Sequence, residues 1–366
     1  MHRVRQQPVT CPDVCIIGAG IIGLSLGLEL HHLGAHVTIL ERDIALSHAS
    51  TAAAGMLAAY DPENPPQLQP LSELSVALYP EFLRQLQDFS GIDVPFQTSR
   101  TLQAHPSYTH ALAPTLLPQL TPGRHRFNVL EEHSVDPRQL AAALLASIRN
   151  TVIDLREHTE LHTISEASYG IHLDTSTGPL DTSYLIYTQG AWSSAPVTPR
   201  KGQMLSIALP DTFPLQDVIR TPEIYIVPRT QGPRAGQAVI GATVEEAGFD
   251  ITTTLSDLAH LRSLAAELLP QFAHETLYPT VDQWAGLRPA TPDALPLLGR
   301  LNPASNQFIA TGHYRNGILL APATAHVMAQ LLLGYPLPID LMSFSPDRFS
   351  KGERIAHRHR YSPIRP

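Results

Sequence analysis

The sequence predicts an α/β fold that is α+β overall, and three observations carry this prediction. The first 45 residues read as a strand, a glycine-rich turn, a helix and a second strand, which is a complete βαβ start. Glycine-dotted apolar segments return after residue 284, and residues 317–333 are a strong helix candidate. Between these ends, residues 101–121 and 200–250 mix proline with short β-branched and aromatic runs, as mixed or antiparallel strands do, so β-rich material is expected at roughly 90–130 and 195–285. A parallel-sheet domain with a β-rich insertion accounts for all three.

Length and composition exclude several classes of protein. The 366 residues suggest about two domains, and 43% hydrophobic residues allow sizeable cores. The formal net charge of −8 argues against nucleic-acid and anionic-membrane partners, which require basic surfaces. The apolar segment 14–30 is interrupted by glycines and a glutamate, so no integral membrane span is expected. Because residues 1–10 are polar and no clean leader pattern follows them, a cytoplasmic protein is expected.

The turn after the first strand has the spacing of a dinucleotide-binding loop. Gly18, Gly20 and Gly23 form G-x-G-x-x-G between an apolar strand and a helix, and this context makes the pattern specific. Gly18 permits the tight turn, Gly20 lets a pyrophosphate approach the backbone, and Gly23 allows close helix packing. The helix N-terminus supplies N–H groups and partial positive charge for phosphates. Glu41, at the end of the second strand, is placed to bind an adenosine ribose.

Signals of this kind at both ends of the chain indicate that the nucleotide-binding domain is discontinuous. We expect a Rossmann-like domain with an inserted, β-rich substrate domain. The expected boundaries are 11–90, 131–195 and 286–345 for the nucleotide-binding domain, 91–130 and 196–285 for the substrate domain, and 346–366 for a basic C-terminal tail.

A flavin dinucleotide explains the sequence better than a nicotinamide dinucleotide. A nicotinamide dehydrogenase needs little beyond its first domain to hold the cofactor. Here an uncharged loop of small residues, 49–56, follows the second strand, and the glycine-flanked segment 312–322 opens a helix near the C-terminus. A helix N-terminus at that place is suited to stabilising the anionic reduced ring of a flavin. An extended FAD molecule that contacts both loops accounts for glycine-rich segments at both ends.

Four segments resemble the D-amino-acid oxidase superfamily, and within it the glycine oxidases of the thiamine-biosynthesis type. They are residues 50–57, 225–229, 284–289 (WAGLRP) and 313–324, which begins HYRNG. The resemblance extends from about residue 13 to residue 333. It implies an FAD-dependent oxidase that acts on the Cα–N bond of an amino acid.

Matched residue by residue, the resemblance implies FAD contacts at both ends of the chain. Besides the three glycines of the first turn, the implied contacts are Ile21, Ile22, Glu41, Arg42, Ala49, Ser50, Ala54, Gly55, Met56, Leu161, His313, Tyr314, Arg315, Asn316, Gly317, Ile318 and Leu319. The stretch from 313 to 319 is implied to hold the isoalloxazine, and Leu161 to make a backbone contact to adenine. No cysteine lies between residues 315 and 322, where covalent-flavin relatives carry one, so the FAD is expected to be non-covalent.

The resemblance also implies which side chains bind the substrate. Arg315 is expected to grip the substrate carboxylate with both guanidinium nitrogens, and Tyr225 to donate its phenol to the same group. Arg288 is expected to be the second arginine at the site. Glu223 and Val244 depart from the family pattern near the pocket. No general base is nominated, since a neutral amine can pass a hydride from Cα to flavin N5 without one.

The implied reaction is the oxidative deamination of glycine or a small D-amino acid. Its imine product hydrolyses to glyoxylate or another 2-oxo acid and ammonia, while O2 reoxidises the flavin and gives hydrogen peroxide. The resemblance further implies that the imine supplies thiazole formation in thiamine biosynthesis. The expected partners are therefore a small amino acid and O2. The resemblance alone suggests a homo-oligomer, specifically a tetramer.

Several alternatives remain open from the sequence. Within the same class, they are a broad D-amino-acid oxidase, a sarcosine-type oxidase, and a dehydrogenase that passes electrons to another acceptor. A different class is a binding protein that keeps FAD for structure alone. Reduction of the flavin by an amino acid without oxygen separates the enzymes from the binding protein.

Neither a metal site nor a disulfide framework is expected. Cys11 and Cys15 are the only cysteines, and Cys15 lies in an apolar run that is typical of a core. His158 and His162 fall in a region that looks extended, where they would lie about 13 Å apart at ~3.3 Å per residue.

Overall fold

A computed structural model describes residues 13–107, 117, 119–167, 170–213 and 215–349. The strands in these ranges are β1 (Asp13–Ile17), β2 (His36–Leu40), β3 (Thr101–Ala104), β4 (Phe127–Leu130), β5 (Asp154–Arg156), β6 (Leu161–Ala167), β7 (Gly170–Thr175), β8 (Gly178–Thr182), β9 (Tyr184–Tyr187), β10 (Thr198–Ala208), β11 (Val218–Arg220), β12 (Tyr225–Arg229), β13 (Gln237–Gly241), β14 (Thr280–Ala290), β15 (Leu297–Arg300) and β16 (Gln307–Thr311). The α-helices are α1 (Ile21–His32), α2 (Ala49–Ala52), α3 (Gln69–Ser90), α4 (Pro137–Arg149), α5 (Leu255–Leu268) and α6 (Gly317–Leu333). Short 3₁₀ turns cover Pro66–Leu68, Gly190–Trp192, Pro270–Ala273, Met342–Phe344 and Pro346–Phe349.

The first large sheet has six strands in the order β15-β16-β9-β1-β2-β5. All of its pairs are parallel except β15 with β16. Residues 14–17 of β1 are all buried, as expected of a central strand covered on both faces. The predicted unit β1-α1-β2 is confirmed, with Glu41 directly after β2. The predicted α/β fold is confirmed as well.

The N-terminal turn of α6 is held by hydroxyl groups of α3. Pro322 lies inside α6 and has no N–H to donate to the carbonyl of Ile318, four residues earlier. The phenol of Tyr79 donates to that carbonyl instead, at 2.6 Å. The Ser75 hydroxyl donates to the Leu319 carbonyl at 2.6 Å and accepts a hydrogen bond from the amide of Ala323 at 3.2 Å. Both α3 side chains are buried, so they fix the direction in which the start of α6 points.

The second large sheet has seven strands in the order β14-β10-β13-β12-β11-β3-β4. Its pairs are antiparallel except β3 with β11. Helix α5 packs on one face, where its buried leucines join Phe272 and Ile240 in a second hydrophobic core. A third, three-stranded sheet, β6-β7-β8, packs against one face of the first sheet, where residues of β7 meet β1, β2 and β9.

The two large sheets draw on alternating parts of the chain. The six-stranded sheet uses residues between 13 and 187 and then 297–311, whereas the seven-stranded sheet uses 101–130 and 198–290. Strand β14 crosses the boundary that we expected between residues 285 and 286, because it pairs with β10 along its whole length. The domain division itself stays a prediction. Residues 350–366 of the expected basic tail, and Cys11, lie outside the described ranges.

Among the described residues, no helix has both the length and the apolar character needed to cross a membrane. Over the same ranges, no group of three or more histidine, cysteine, aspartate or glutamate side chains is arranged to hold a metal ion. Cys15 is buried in the core, and this burial raises the pKa of its thiol to about 12.

Candidate active site

A cavity of about 330 Å³ lies between the two large sheets. Its size is within the range of small-molecule sites. The wall contains sixteen of the residues expected to bind cofactor or substrate: Gly20, Ile21, Ile22, Ala49, Ser50, Ala54, Gly55, Met56, Tyr225, Arg288, His313, Tyr314, Arg315, Asn316, Gly317 and Ile318. The structure therefore brings both ends of the chain and the middle of the seven-stranded sheet to one place.

The three glycines of the loop differ in how much space a side chain would have at each position. A Cβ on Gly18 would lie 2.8 Å from the carbonyl oxygen of Thr188, and a Cβ on Gly23 would lie 2.0 Å from that of Gly18. A Cβ on Gly20 would meet only the Ser50 hydroxyl, at an ordinary contact distance of 3.5 Å. Gly18 and Gly23 are thus required by packing, while Gly20 leaves space on the cavity side.

The start of α1 faces the cavity without a side-chain cap of its own. Gly20 is the N-cap residue and has no side chain, and the amide of Ile21 donates to the Ser50 hydroxyl at 2.9 Å. Because the first amides of a helix carry partial positive charge, this end of the cavity suits a pyrophosphate.

Glu41 lies beneath the glycine loop rather than on the cavity wall. Its carboxylate accepts from the amides of Ala19 at 2.8 Å and Asp43 at 3.0 Å. The guanidinium of Arg42 lies over the Trp192 ring, 5.1 Å from its centre. Leu161 begins β6 and packs with the core around Cys15, and Leu319 is buried in α6. These four expected FAD contacts are not among the residues that line the cavity.

The start of α6 forms the opposite wall. Asn316 is the N-cap residue, and its side chain makes no capping bond to the helix. His313 is buried, with its Nε2 3.1 Å from the Thr324 hydroxyl. Burial lowers the pKa of His313 to about 3, so the imidazole is neutral at pH 7. The partial positive charge at this end of the cavity therefore comes from the helix N-terminus, not from the histidine.

The loop of small residues 49–56, which contains α2 and precedes α3, is anchored from the seven-stranded sheet. The indole N–H of Trp284 donates to the Ala52 carbonyl at 2.9 Å, and Arg229 donates to the Ala54 carbonyl at 2.7 Å. A Cβ on Gly286 would lie 2.6 Å from the Ala52 methyl group, so the loop packs directly on that strand. Gly55 has φ +87°, and a Cβ there would lie 2.0 Å from a neighbouring carbonyl oxygen.

Arg288 and Tyr225 lie together on the wall formed by the seven-stranded sheet. The Arg288 guanidinium rests on Gly202, where any Cβ would clash with it, and donates to the Thr243 carbonyl at 3.1 Å. Within the described part of the chain, no carboxylate lies within ion-pair distance of Arg288. Burial raises the pKa of Tyr225, against the opposing effect of Arg288, so its phenol keeps its proton at neutral pH. Together they offer hydrogen-bond donors and an unmatched positive charge.

We expected the guanidinium of Arg315 to be free to bind a substrate carboxylate, but in this structure it binds two carboxylates of the protein. Its Nη1 donates to Glu63 at 2.8 Å and its Nη2 donates to Asp61 at 2.9 Å. The Asp61 carboxylate also lies 3.7 Å from Arg220, which is buried and bonded to Glu132 at 3.0 Å. Both donor edges of Arg315 therefore hold protein carboxylates in this structure.

Sequence reasoning missed Asp61, Glu63 and Arg220. Residues 60–70 read only as a polar connector, and Arg220 falls in a short strand without a motif. All three line the cavity. The single available signal was the pair of acidic residues two positions apart in a segment near an uncharged loop.

The two positions that depart from the family pattern also line the cavity. Glu223 forms an ion pair with Arg124 at 2.7 Å, so its charge is matched at the surface. Val244 is 63% exposed.

The wall fits FAD in three respects. The start of α1, with open space at Gly20, would meet the phosphates, the start of α6 faces the far end, and the loop between them is uncharged. A dinucleotide with phosphates in its middle and an electron-accepting ring at one end matches this order. Residues 20–22 and 49–56 would hold its phosphates and flavin edge, and residues 313–318 its ring.

Comparisons with known proteins agree with this geometry. The profile of the DAO family, described as FAD dependent oxidoreductase, matches residues 13–331. The bifunctional protein ThiO/ThiG of Trichormus variabilis is 34% identical over 369 residues, which cover 93% of this chain and 55% of that protein. The glycine oxidase of Pseudomonas aeruginosa is 32% identical, covering 91% of this chain and 98% of that protein.

The crystal structure of glycine oxidase from Geobacillus kaustophilus is similar over 92% of this chain and 98% of that chain. The TM-score is 0.83 and the sequence identity is 30%. The chain spans about half the length of the bifunctional relatives it matches, and almost the whole length of the glycine oxidases.

Proposed function

Because the chain belongs to the FAD dependent oxidoreductase family, we propose that it oxidises the Cα–N bond of glycine or of a small D-amino acid. One observation carries the choice of an amino acid as substrate. Arg288 and Tyr225 present an unmatched guanidinium and a protonated phenol side by side on the cavity wall. An α-carboxylate is the anion that this pair recognises, since one guanidinium and one hydroxyl donor can bind both of its oxygens.

The part of the wall formed by residues 49–56 suits a substrate amine in its uncharged form. FAD, when bound, supplies a two-electron acceptor for the Cα–H bond. Residues 49–56 contribute only alanine, glycine, serine and methionine to the wall, and none of these could form an ion pair with an ammonium group. His313 is held neutral and hydrogen-bonded to Thr324, so we assign it no proton transfer. The chain's contribution is to bind the carboxylate and fix the orientation of Cα.

The products follow from the balance of the reaction. Loss of two electrons and two protons turns the amine into an imine, and water converts the imine to a 2-oxo acid and ammonia. With O2 as the final acceptor, the two electrons and two protons appear in hydrogen peroxide. We propose O2 as the acceptor, non-covalent FAD, and use of the glycine imine for thiazole formation. The likeness to proteins named glycine oxidase and ThiO/ThiG supports these proposals.

Anaerobic reduction of the purified flavoprotein tests the proposal. Glycine, sarcosine, D-alanine and L-alanine are mixed separately with the oxidised protein, and the absorbance of the flavin is followed. We expect bleaching with glycine and D-alanine, and one hydrogen peroxide per turnover after oxygen is admitted. Reduction by L-alanine but not D-alanine would contradict the proposed substrate class. Bleaching without peroxide formation would indicate a dehydrogenase, and no bleaching at all would indicate a protein that binds FAD without this activity.

A further inference from the structure

The two arginines of the cavity wall differ in how their charges are matched. Arg315 holds Asp61 and Glu63 at 2.9 and 2.8 Å, whereas Arg288 donates to backbone carbonyls. Asp61 is nearly buried, with 8% of its side chain exposed, and it also faces the buried Arg220 at 3.7 Å. The pairs among Asp61, Arg220 and Glu132 are buried and hold their geometry, because separating them leaves a charge without a partner. The pair of Arg315 with Glu63 lies at the exposed rim, with 42% of the Glu63 side chain exposed.

The segment that carries Asp61 and Glu63 is held by hydrogen bonds on either side of these two residues. The Tyr60 amide donates to the buried Glu132 carboxylate at 2.9 Å. Further along, Asn64 accepts from the side chain of Asn316, next to Arg315, at 2.9 Å. We call residues 60–64 the acidic segment. Its backbone is therefore placed by contacts that do not depend on Arg315 itself.

The charge network on this side of the cavity has a small negative excess. Arg315 and Arg220 balance Asp61 and Glu63 on the cavity wall, and Glu132, which is buried, does not line the cavity and bonds to Arg220, adds a third negative charge. Since Arg288 has no carboxylate partner among the described residues, it is the cation left to bind an anion. A second carboxylate on the substrate would meet a wall that is already occupied by carboxylates.

We propose that Asp61 and Glu63 restrict the site to substrates with one carboxylate, by occupying Arg315 and by repelling a second negative charge. This inference rests on the proposed amino-acid oxidation and names the substrate class more narrowly. Asp61 and Glu63 are thus specificity-determining residues, and Arg315 is the cation that holds them in place. Neutralising the acids frees the fork of Arg315 for the side-chain carboxylate of an acidic substrate.

The test compares ligands that differ only in charge. D-aspartate and D-asparagine are the substrate pair, and malonate and its monoamide are a pair that binds without turnover. For the substrates the ratio of kcat/KM is measured, and for the second pair the Kd from the shift in flavin absorbance. We expect the wild-type protein to prefer each uncharged amide by at least ten-fold. In the double variant Asp61→Asn, Glu63→Gln, both preferences are expected to fall by at least ten-fold.

Two further variants separate this effect from a general change in charge or folding. Adding Arg315→Met to the double variant removes the freed guanidinium, so the preference for the amide is expected to return. Glu73→Gln removes an exposed acid of α3 that bonds only to Gln69 among the described residues, and is expected to change neither ratio.

Each outcome decides the inference. Equal preferences in the wild-type and double-variant proteins overturn it, as does a wild-type protein that binds malonate as well as the monoamide. If the triple variant, which lacks Arg315, still binds or oxidises the acidic ligands as well as the double variant does, repulsion alone explains the selectivity. That result overturns the role of Arg315. If no amino acid reduces the flavin, the proposed function fails, and the malonate pair still decides the inference about charge.

Discussion

The guanidinium of Arg229 donates a 2.7 Å hydrogen bond to the carbonyl oxygen of Ala54 and is itself fully buried. Burial lowers the pKa of Arg229 to about 10, and Asp136, 4.0 Å away, opposes this effect. The arginine is therefore still a cation at neutral pH. It ties β12 of the seven-stranded sheet to the small-residue loop on the cavity wall, so the loop's position depends on a residue that does not line the cavity.

Arg229→Met is expected to weaken FAD binding by at least ten-fold, about 1.4 kcal/mol, because the Ala54 carbonyl loses a charged donor. The cost to folding should be smaller than for a well-satisfied arginine, since Nε and Nη1 of Arg229 have no hydrogen-bond partner. Fluorescence titration of the apoprotein with FAD measures the affinity. Arg234→Met, which removes a neighbouring cation that faces Asp136, is the control and should leave the affinity unchanged. Equal affinities in all three proteins would remove Arg229 from this role.

The glycine loop allows a sharper distinction between packing and ligand binding. Gly20→Ala places a methyl group in open space beside Ser50, so the free energy of unfolding of the apoprotein should fall by less than about 1 kcal/mol. The same methyl group fills the space in which a pyrophosphate would lie, and FAD affinity should fall by at least ten-fold. Gly23→Ala drives a methyl group to 2.0 Å from a backbone carbonyl and should cost about 3 kcal/mol or more of stability.

Urea unfolding and FAD titration of both glycine variants check this pair. Normal FAD binding by Gly20→Ala would show that the phosphates do not pass this residue. A stable Gly23→Ala apoprotein would show that the close packing of α1 is not required.

Features encoded by neighbouring residues could be predicted from the sequence. The predicted helix 317–333 coincides with α6, because it begins after a glycine-flanked turn and ends before Gly334, which adopts φ +75°. The first βαβ unit was equally clear, since burial on both faces demands an uninterrupted apolar strand. The predicted family, the oxidoreductase class and FAD as cofactor are confirmed by the family profile.

Partners that are distant in the chain could not be predicted. Arg315 and Glu63 are separated by 252 positions, and nothing in either local sequence indicates that they meet. The guanidinium looked free because its neighbours in the chain are uncharged, although its charge is matched from the opposite end of the sequence. Burial of Arg220 depends in the same way on how β11 sits between β3 and β12. Charge matching is a tertiary property, so the carboxylate partners of Arg315 could not be predicted from the residues beside it.

The two arginines are therefore expected to respond differently to removal. Arg288→Met should retain FAD and weaken substrate binding by about 30-fold, roughly 2 kcal/mol, as expected for loss of a charged contact. Arg315→Met should weaken binding of a monocarboxylate substrate by less than about five-fold, because its fork holds Asp61 and Glu63. Anaerobic titration with glycine gives the Kd, and Arg84→Met on the exposed face of α3 serves as the control. A larger loss with Arg315→Met would restore the order that the sequence predicted.

His313 gives the protein a defined dependence of stability on pH. Its pKa is about 3 in the folded protein because it is buried, against about 6.5 when exposed. Between these values the unfolded chain binds a proton that the folded chain does not, so the free energy of unfolding should fall as the pH is lowered from 6.5. This group contributes up to about 1.4 kcal/mol per pH unit in that window, and nothing above it. Urea unfolding from pH 7 to pH 4 gives the free energy of unfolding as a function of pH, and its slope should be shallower by about this amount in His313→Asn than in the wild-type protein. Parallel slopes in the wild-type and His313→Asn proteins would mean that His313 is protonated in the folded state.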